Sequence, residues 1–220
     1  MTHHDLPATF LTERFTNAVG YASALHATQI RKGTRVPYIA HLLGVASLIL
    51  EADGDEDMVI GGLLHDAAED QGGEARLHDI GTRYGTDVED YVRACSDYLG
   101  DDPSPKPPWR PRKEAYLARL RNESVATVTV SMADKVHNAR SIITDLHNGL
   151  WVFDKFKAAP DDTIWYYASC LEIAQAKSVS PALVTPLERA VQGMRDEVAA
   201  WPERESVSAS PLSQARRGKV

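Results

Sequence analysis

The segment GGLLHDAAED, residues 61–70, places four ionisable side chains within six positions: His65, Asp66, Glu69 and Asp70. Asp66 and Asp70 are four positions apart, and the other two repeat that spacing one position earlier, so a helix would project all four from one sector. Three carboxylates that close repel one another unless positive charge lies among them. A divalent cation would supply that charge. The alternative is a solvated acidic helix face with a chance histidine.

Two residues elsewhere in the chain favour the metal interpretation. His41 begins an apolar helical pattern in PYIAHLLGVA, and Asp134 follows an apolar run in VSMADKVHNAR. Each of these residues lies next to an apolar segment that is expected to form a buried helix. Separate buried helices can bring such side chains to one point. We therefore expect His41, His65, Asp66 and Asp134 to converge on one divalent ion, with Mn²⁺, Fe²⁺ and Zn²⁺ all compatible with imidazole and carboxylate ligands.

The elements that must position these residues are predicted to be helices. Apolar residues recur at three- and four-residue steps through most of the chain. The segment SVATVTVSM, residues 124–132, alternates like a strand, but it continues into helical spacing and has no convincing partner strand, so we predict a buried helix. The class is all-α. Helices are predicted over 9–31, 41–52, 55–70, 74–84, 86–98, from about 112 onward, 163–178 and 181–201.

Composition limits the organisation of the chain and its partners. The 220 residues fit one domain over 1–201 with a polar, mobile tail over 202–220. The proline-rich segment 100–113 is predicted to be a functional loop or lid. A net charge of −7 argues against nucleic-acid binding, and no apolar run approaches the length of a membrane span. Two cysteines without a CxxC pair fit a reducing cytoplasm. The oligomeric state is left open.

Three short sequence motifs, in this order along the chain, resemble those of a known family. They are RKGTRVPYIAH, GLLHDAAED and ADKVHNAR, spanning residues 31–140. Their H…HD…D pattern resembles the HD superfamily of metal-dependent phosphohydrolases. The details resemble the single-domain form of its RelA/SpoT-homologue branch, whose hydrolase domains remove the 3′ pyrophosphate from guanosine tetra- and pentaphosphate, the alarmones of the stringent response.

The resemblance implies roles for individual residues. The four residues of the H…HD…D pattern would bind one metal ion, commonly Mn²⁺ in this branch. Glu69 and Asp70 match the acidic pair that positions or deprotonates the attacking water. Arg31, Lys32 and Asn138 match residues that contact the nucleotide in this branch. Apart from the resemblance, cationic side chains suit phosphate oxygens, which adds Lys113 and Arg140, with Arg110, Arg112 and the neighbouring Trp109 as further candidates. The alternative for each basic residue is a solvated surface charge. The main candidates for substrate binding are Arg31, Lys32, Lys113, Asn138 and Arg140.

The sequence departs from the family pattern near the acidic pair. Leu42 follows His41 where proline is usual, and Gln71 follows Asp70 where threonine is usual. These changes remove no ligand, but they leave the substrate open. The expected activity is hydrolysis of guanosine tetra- or pentaphosphate at the 3′ position. The alternatives are a phosphatase for nucleoside monophosphates or a dinucleotide phosphate, and a non-catalytic metal or nucleotide sensor.

Overall fold

The computed structural model describes residues 9–99 and 106–208, with side chains described as far as residue 201. These residues form ten α-helices and one 3₁₀ helix, Val152–Lys155, and contain no strand beyond an isolated bridge between Ile30 and Pro37. The all-α prediction is confirmed. The helices are α1 Glu13–Leu25, α2 Ile39–Glu51, α3 Glu56–Leu64, α4 Ala67–Gln71, α5 Gly73–Tyr84, α6 Thr86–Cys95, α7 Trp109–Leu120, α8 Val125–His147, α9 Pro160–Ala176 and α10 Pro181–Ser208.

Helix α8 forms the centre of the core and contacts α2, α3, α6, α9 and α10. The alternating segment 124–132 supplies its N-cap and its first eight residues, so the prediction of a buried helix there is confirmed. Ser124 begins the helix by accepting a hydrogen bond from the Thr127 backbone N–H. Residues 127–136 are all buried. Burial on several sides, rather than intrinsic propensity, therefore sets the conformation of these β-branched residues.

The prediction of one helix over 55–70 is wrong, because the helix is interrupted between Leu64 and Ala67. His65 and Asp66 keep right-handed helical dihedral angles but lie outside both α3 and α4. The His65 ring turns back so that its Nδ1 lies 2.7 Å from the carbonyl oxygen of Gly62. His65 and Asp66 therefore lie at the junction between α3 and α4, whereas Glu69 and Asp70 lie on α4.

Close packing of α2 against α3 brings the two predicted histidine ligands toward each other. Gly62 makes this approach possible, because a Cβ atom there would lie 2.1 Å from Cδ1 of Ile49 and 3.3 Å from Cγ1 of Val45. His41 lies in the first turn of α2 and His65 follows the last turn of α3. The glycine therefore sets the separation of the helices that carry the site.

Other predicted boundaries also differ from the structure. The helix predicted over 9–31 is limited to α1, and the helix predicted to 98 ends at Cys95. Helix α7 begins at Trp109 rather than near 112, and Pro111 is tolerated there because the first backbone N–H groups of a helix need no intrahelical partner. The last helix continues past 201 to Ser208. Residues 100–105 of the predicted loop and 209–220 of the tail lie outside the described residues.

Across 9–99 and 106–208, no helix combines the length and apolar composition needed to span a bilayer.

Replacing Gly62 with alanine tests the importance of this close helix contact. Gly20 provides a matched control, since it lies in the interior of α1 and nothing lies within 4 Å of a Cβ built there. We expect Gly20→Ala to raise the free energy of unfolding by about 0.5–1 kcal/mol. Gly62→Ala should lower it, because overpacking a core costs about 1–3 kcal/mol. Urea unfolding measures both, and equal stabilisation by the two variants would contradict the packing argument.

Candidate active site

The structure brings the four predicted metal ligands together from three parts of the fold: α2, the α3–α4 junction and the middle of α8. Ligand atoms of His41, His65 and Asp66 all lie within 4.8 Å of one another. The Asp134 carboxylate completes the cluster from α8. The Nε2-to-oxygen distances are 3.6 Å for His41–Asp66, 3.3 Å for His41–Asp134, 2.9 Å for His65–Asp66 and 3.5 Å for His65–Asp134.

The hydrogen bonds of the two imidazoles leave their Nε2 atoms facing the carboxylates. Because the carbonyl oxygen of Gly62 can only accept, Nδ1 of His65 is the donor, so Nε2 is the nitrogen that carries the lone pair whenever the ring is neutral. Nδ1 of His41 lies 2.9 Å from Nδ1 of His137. Both Nε2 atoms are buried and make no hydrogen bond within the described part of the chain. Nε2 is the atom that each ring offers to a cation when neutral, and the two carboxylates beside it complete the donor set, so these residues fit a divalent metal ion.

The charges of the cluster show why it needs a cation. Desolvation opposes ionisation of Asp66, yet His65 and His41 hold the pKa of that carboxyl well below its usual value. Desolvation likewise opposes ionisation of Asp134, but Lys135 and His65 keep its pKa well below the usual range. The two carboxylates in turn raise the pKa of His65 well above its ordinary value despite its burial. The carboxylates therefore favour a positive charge beside them, which is either a proton on Nε2 of His65 or a metal ion in its place.

A surrounding set of polar groups orients these ligands. Tyr38 donates its hydroxyl hydrogen to Oδ2 of Asp66 over 2.6 Å. Lys135 and Asn138 each donate to Asp134 over 2.5 Å, one to each carboxylate oxygen. Lys135 is 6% exposed, which is unusual for a lysine and is possible here because its charge is paired. Together these donors fix both oxygens of one ligand and one oxygen of the other.

His137 supports the remaining ligand, His41. Burial, the neighbouring His41 and Arg31 lower the pKa of His137 to about 4, so its ring is neutral near pH 7 and can accept the Nδ1 hydrogen of His41. The ring occupies space left by Gly44, where a Cβ atom would lie 2.4 Å from two of its atoms. The sequence analysis assigned no role to His137, Lys135 or Tyr38. The one available signal was an ionisable residue inside the apolar, buried part of a helix, as at Lys135 in α8.

The acidic pair occupies α4, where the two side chains have separate partners. Glu69 accepts hydrogen bonds from Nζ of Lys106 at 2.8 Å and from the backbone N–H of Asp97 at 3.3 Å. Asp70 accepts one from Nε2 of Gln29 at 2.8 Å. Desolvation and Asp97 raise the pKa of Glu69, and desolvation and Asp66 raise that of Asp70. Raised pKa values make both carboxylates better proton acceptors than ordinary surface acids.

Two adjoining clefts open onto the cluster. A polar cleft of about 480 Å³ is lined by Asp66, Asp134 and the acidic pair. A wide cleft of about 710 Å³ is lined by His41, His137 and apolar side chains that include Val36 and Val152. The two share one wall, so a single ligand could reach into both. The shared residues are Lys32, Tyr38, Asn138, Ile142, Phe156 and Tyr167.

Four of the five predicted substrate-binding residues line the wide cleft. Arg31 donates to Oδ1 of Asn138 over 2.9 Å, which directs the amide nitrogen of Asn138 toward Asp134. Lys32 donates to the backbone carbonyl of Lys155, which also lines the cleft. Arg140 lies on the same wall, one turn beyond His137. These cations lie beside the metal cluster and do not enter it.

The fifth predicted residue, Lys113, lies in the polar cleft with a group of cations that the sequence analysis only partly identified. Its Nζ is 2.8 Å from Oδ2 of Asp97 and 4.7 Å from the centre of the Tyr166 ring. Arg112 pairs with the same oxygen, and Lys106 lies 3.9 Å from the other one. The Asp97 carboxylate is 5% exposed and organises this wall, although its surrounding sequence contains no recognisable motif.

Two further candidates for substrate binding, Arg110 and Trp109, differ in whether they line the polar cleft. Arg110 points away from the polar cleft, because it pairs with Glu114 and Asp162 and stacks on the Trp165 ring. Trp109 lines the polar cleft, where its ring contacts Trp165 and Tyr166 edge-on.

Comparisons with known proteins agree with this geometry. A family model described as an HD domain matches residues 18–149. A probable guanosine-3′,5′-bis(diphosphate) 3′-pyrophosphohydrolase from Synechocystis sp. is 29% identical over 122 residues, 56% of this chain and 16% of that protein. The human guanosine-3′,5′-bis(diphosphate) 3′-pyrophosphohydrolase MESH1 is 30% identical over 128 residues, 57% of this chain and 67% of that protein.

Two solved structures share the fold. One, titled as a metazoan orthologue of SpoT that hydrolyses ppGpp, has a TM-score of 0.66 at 24% identity and covers 84% of this chain and 97% of its own. The other, lmo0812 from Listeria monocytogenes EGD-e, has a TM-score of 0.60 at 27% identity and covers 73% and 99%. The similarity therefore extends beyond the three sequence motifs to most of the helical fold.

Removing the support of His41 should weaken metal binding without abolishing it. We expect His137→Ala to lower the affinity for Mn²⁺ about 10- to 100-fold, because residues that orient a ligand typically contribute that much. His41→Ala, which removes a ligand, should leave no stoichiometric binding. His78→Ala is the control, since His78 is exposed on α5. Titration calorimetry measures all three, and wild-type affinity in His137→Ala would contradict this role.

Proposed function

The chain belongs to the HD-domain family, and on that premise we propose that it is a metal-dependent phosphohydrolase that removes pyrophosphate from the 3′ position of guanosine tetra- or pentaphosphate. The observation that carries the proposal is the pair of buried, unbonded Nε2 atoms facing two carboxylates, beside a second acidic pair in a cleft with a cationic wall. The names of the relatives from Synechocystis and human support the choice of substrate.

We propose that His41, His65, Asp66 and Asp134 hold one divalent ion, with Mn²⁺ as the preferred ion and Fe²⁺ or Zn²⁺ as alternatives. Such an ion supplies Lewis acidity, lowering the pKa of water and stabilising negative charge on a phosphoryl oxygen. The protein contributes the orientation of the four ligands, through the hydrogen bonds that Tyr38, Lys135, Asn138 and His137 make to them.

Glu69 and Asp70 are proposed to manage the attacking water. The water oxygen attacks the phosphorus bonded to the ribose 3′ oxygen, and the bond between that oxygen and phosphorus breaks to release pyrophosphate. A carboxylate with a raised pKa takes the proton that the water loses, and the departing 3′ oxygen gains a proton. Lys106 and the Asp97 backbone N–H hold Glu69 in place for this transfer.

The two clefts suggest how the nucleotide lies. The wide cleft, with its apolar walls and with Arg31, Asn138 and Arg140 at its edge, suits the nucleoside. The polar cleft, with Lys106 and Lys113, suits phosphate oxygens. The shared wall at Lys32 would contact both parts. A cytoplasmic location is part of the proposal, and the oligomeric state is left open.

A panel of nucleotides with Mn²⁺ tests the substrate. We expect release of pyrophosphate from guanosine tetraphosphate and no release of orthophosphate from nucleoside monophosphates. Separate assays for pyrophosphate and orthophosphate distinguish the reactions. Orthophosphate from monophosphates or from a dinucleotide phosphate would replace the proposal with a phosphatase for other nucleotides. Nucleotide binding without any product would replace it with a non-catalytic sensor, an interpretation that the intact Glu69–Asp70 pair argues against.

Glu69→Gln tests proton transfer, because glutamine keeps the shape of the side chain but cannot accept the proton. We expect turnover to fall about 10²- to 10⁴-fold, with metal content unchanged. Glu114→Gln is the matched control, since Glu114 is exposed on α7 and pairs with Arg110 outside both clefts. Single-turnover kinetics measures the rate, and elemental analysis measures the metal content of each variant. An unimpaired rate in Glu69→Gln would remove this residue from the mechanism.

A further inference from the structure

We propose that Gln29 is a positioning residue that orients the carboxylate of Asp70, and that Gln71 fixes the direction in which Gln29 points. The inference deepens the proposed function, since it assigns a role to residues behind the acidic pair. It starts from a chain of hydrogen bonds that links the end of α1, the loop after it and the end of α4.

The amide of Gln29 can point in only one direction. Its oxygen lies 2.9 Å from the donor Nε2 of Gln71 and 2.7 Å from Nδ1 of His26. The Asp70 carboxylate can only accept, so Nε2 of Gln29 is the group that donates to its Oδ2, over 2.8 Å. The oxygen of Gln29 therefore faces His26 and Gln71 on the other side. The amide is thus held by contacts at both of its ends.

The backbone of Gln29 is equally fixed. Its N–H donates to the carbonyl of His26 over 3.0 Å, and its carbonyl accepts from the Tyr38 N–H over 2.9 Å. The bridge between Ile30 and Pro37 closes the same short loop. The side chain that reaches Asp70 therefore projects from a constrained backbone, as a positioning role requires.

His26 connects this arm to the metal cluster. The residue is 3% exposed and caps the end of α1. Its ring stacks on that of Tyr38, with the centres 5.3 Å apart and the planes 21° apart. Tyr38 donates to the ligand Asp66, and Gln29 donates to Asp70. One buried ring thus supports both arms, which fixes Asp70 relative to Asp66. Fixing one carboxylate oxygen of Asp70 also fixes the direction of the other.

Two substitutions at Gln29 test the role. Gln29→Glu keeps the shape and an acceptor oxygen but places a carboxylate where the donor was. Gln29→Met removes the donor without adding charge, in case the charged variant fails to fold. We expect kcat to fall about 10- to 100-fold in both, because small misplacements of catalytic groups cost that much. KM and the affinity for Mn²⁺ should stay within about twofold of wild type on the same reasoning, since neither substitution removes a metal ligand or a cationic side chain.

The second half of the proposal and the control use other glutamines. Gln71→Leu removes one of the two contacts that hold the Gln29 oxygen, so kcat should fall by a smaller factor than in the Gln29 variants. Gln192→Glu is the matched control, because Gln192 also donates to an aspartate, Asp196, over 2.8 Å, but on α10. It should behave as wild type. Unchanged kcat in both Gln29 variants, or equal losses of kcat and Mn²⁺ affinity, would overturn the positioning role.

Crystal structures separate this inference from the proposed function. If the wild-type protein cleaves no nucleotide, the hydrolase proposal fails by itself. The position of Asp70 still decides the role of Gln29. We expect one Asp70 rotamer bonded to Gln29 in the wild-type crystal and a different or divided rotamer in Gln29→Met. An Asp70 side chain unchanged in that variant would overturn the inference whatever the activity.

Discussion

The interaction on which the structure depends is the approach of two carboxylates, Asp66 and Asp134, to the buried Nε2 atoms of His41 and His65. Carboxylates this close are stable only with positive charge nearby. The fold provides part of that charge through Lys135, which it buries at the cost of desolvating an ammonium group. The negative charge that Lys135 does not neutralise lies between the four ligand side chains. The site is thus arranged to be completed by a cation.

This convergence restricts the helices that carry it. His41 and His65 approach each other only because α2 and α3 pack closely at Gly62, and Asp134 reaches them only because α8 runs through the core. The helix is also interrupted after Leu64, between the ligands and the acidic pair. The His65 ring at this junction is oriented by its contact to the Gly62 carbonyl. Glu69 and Asp70 follow on α4, where each has its own partners.

The sequence predicted the components of this arrangement better than their connections. Apolar spacing identified the helical class and the buried helix over 124–132. The three sequence motifs identified the four expected metal ligands, which lie together in the structure. The break at His65 was missed because periodicity does not detect a side chain bonded to the backbone three residues earlier. Asp97 and His137 were missed because each acts through contacts made only in the folded chain. Such contacts have no fixed spacing and therefore leave no pattern in one sequence.

The cationic wall of the polar cleft shows how an acidic protein can hold phosphates. With a net charge of −7, the chain has no general attraction for anions. Asp97 collects Arg112 and Lys113 on one oxygen and has Lys106 near the other, so one carboxylate faces three cations. Lys106 also binds Glu69, which balances one of these charges. The local excess of positive charge is therefore small, fixed in position and confined to one wall. Because these groups are already oriented, a phosphate that binds there need not reorganise them, which is the condition under which electrostatic stabilisation is most effective.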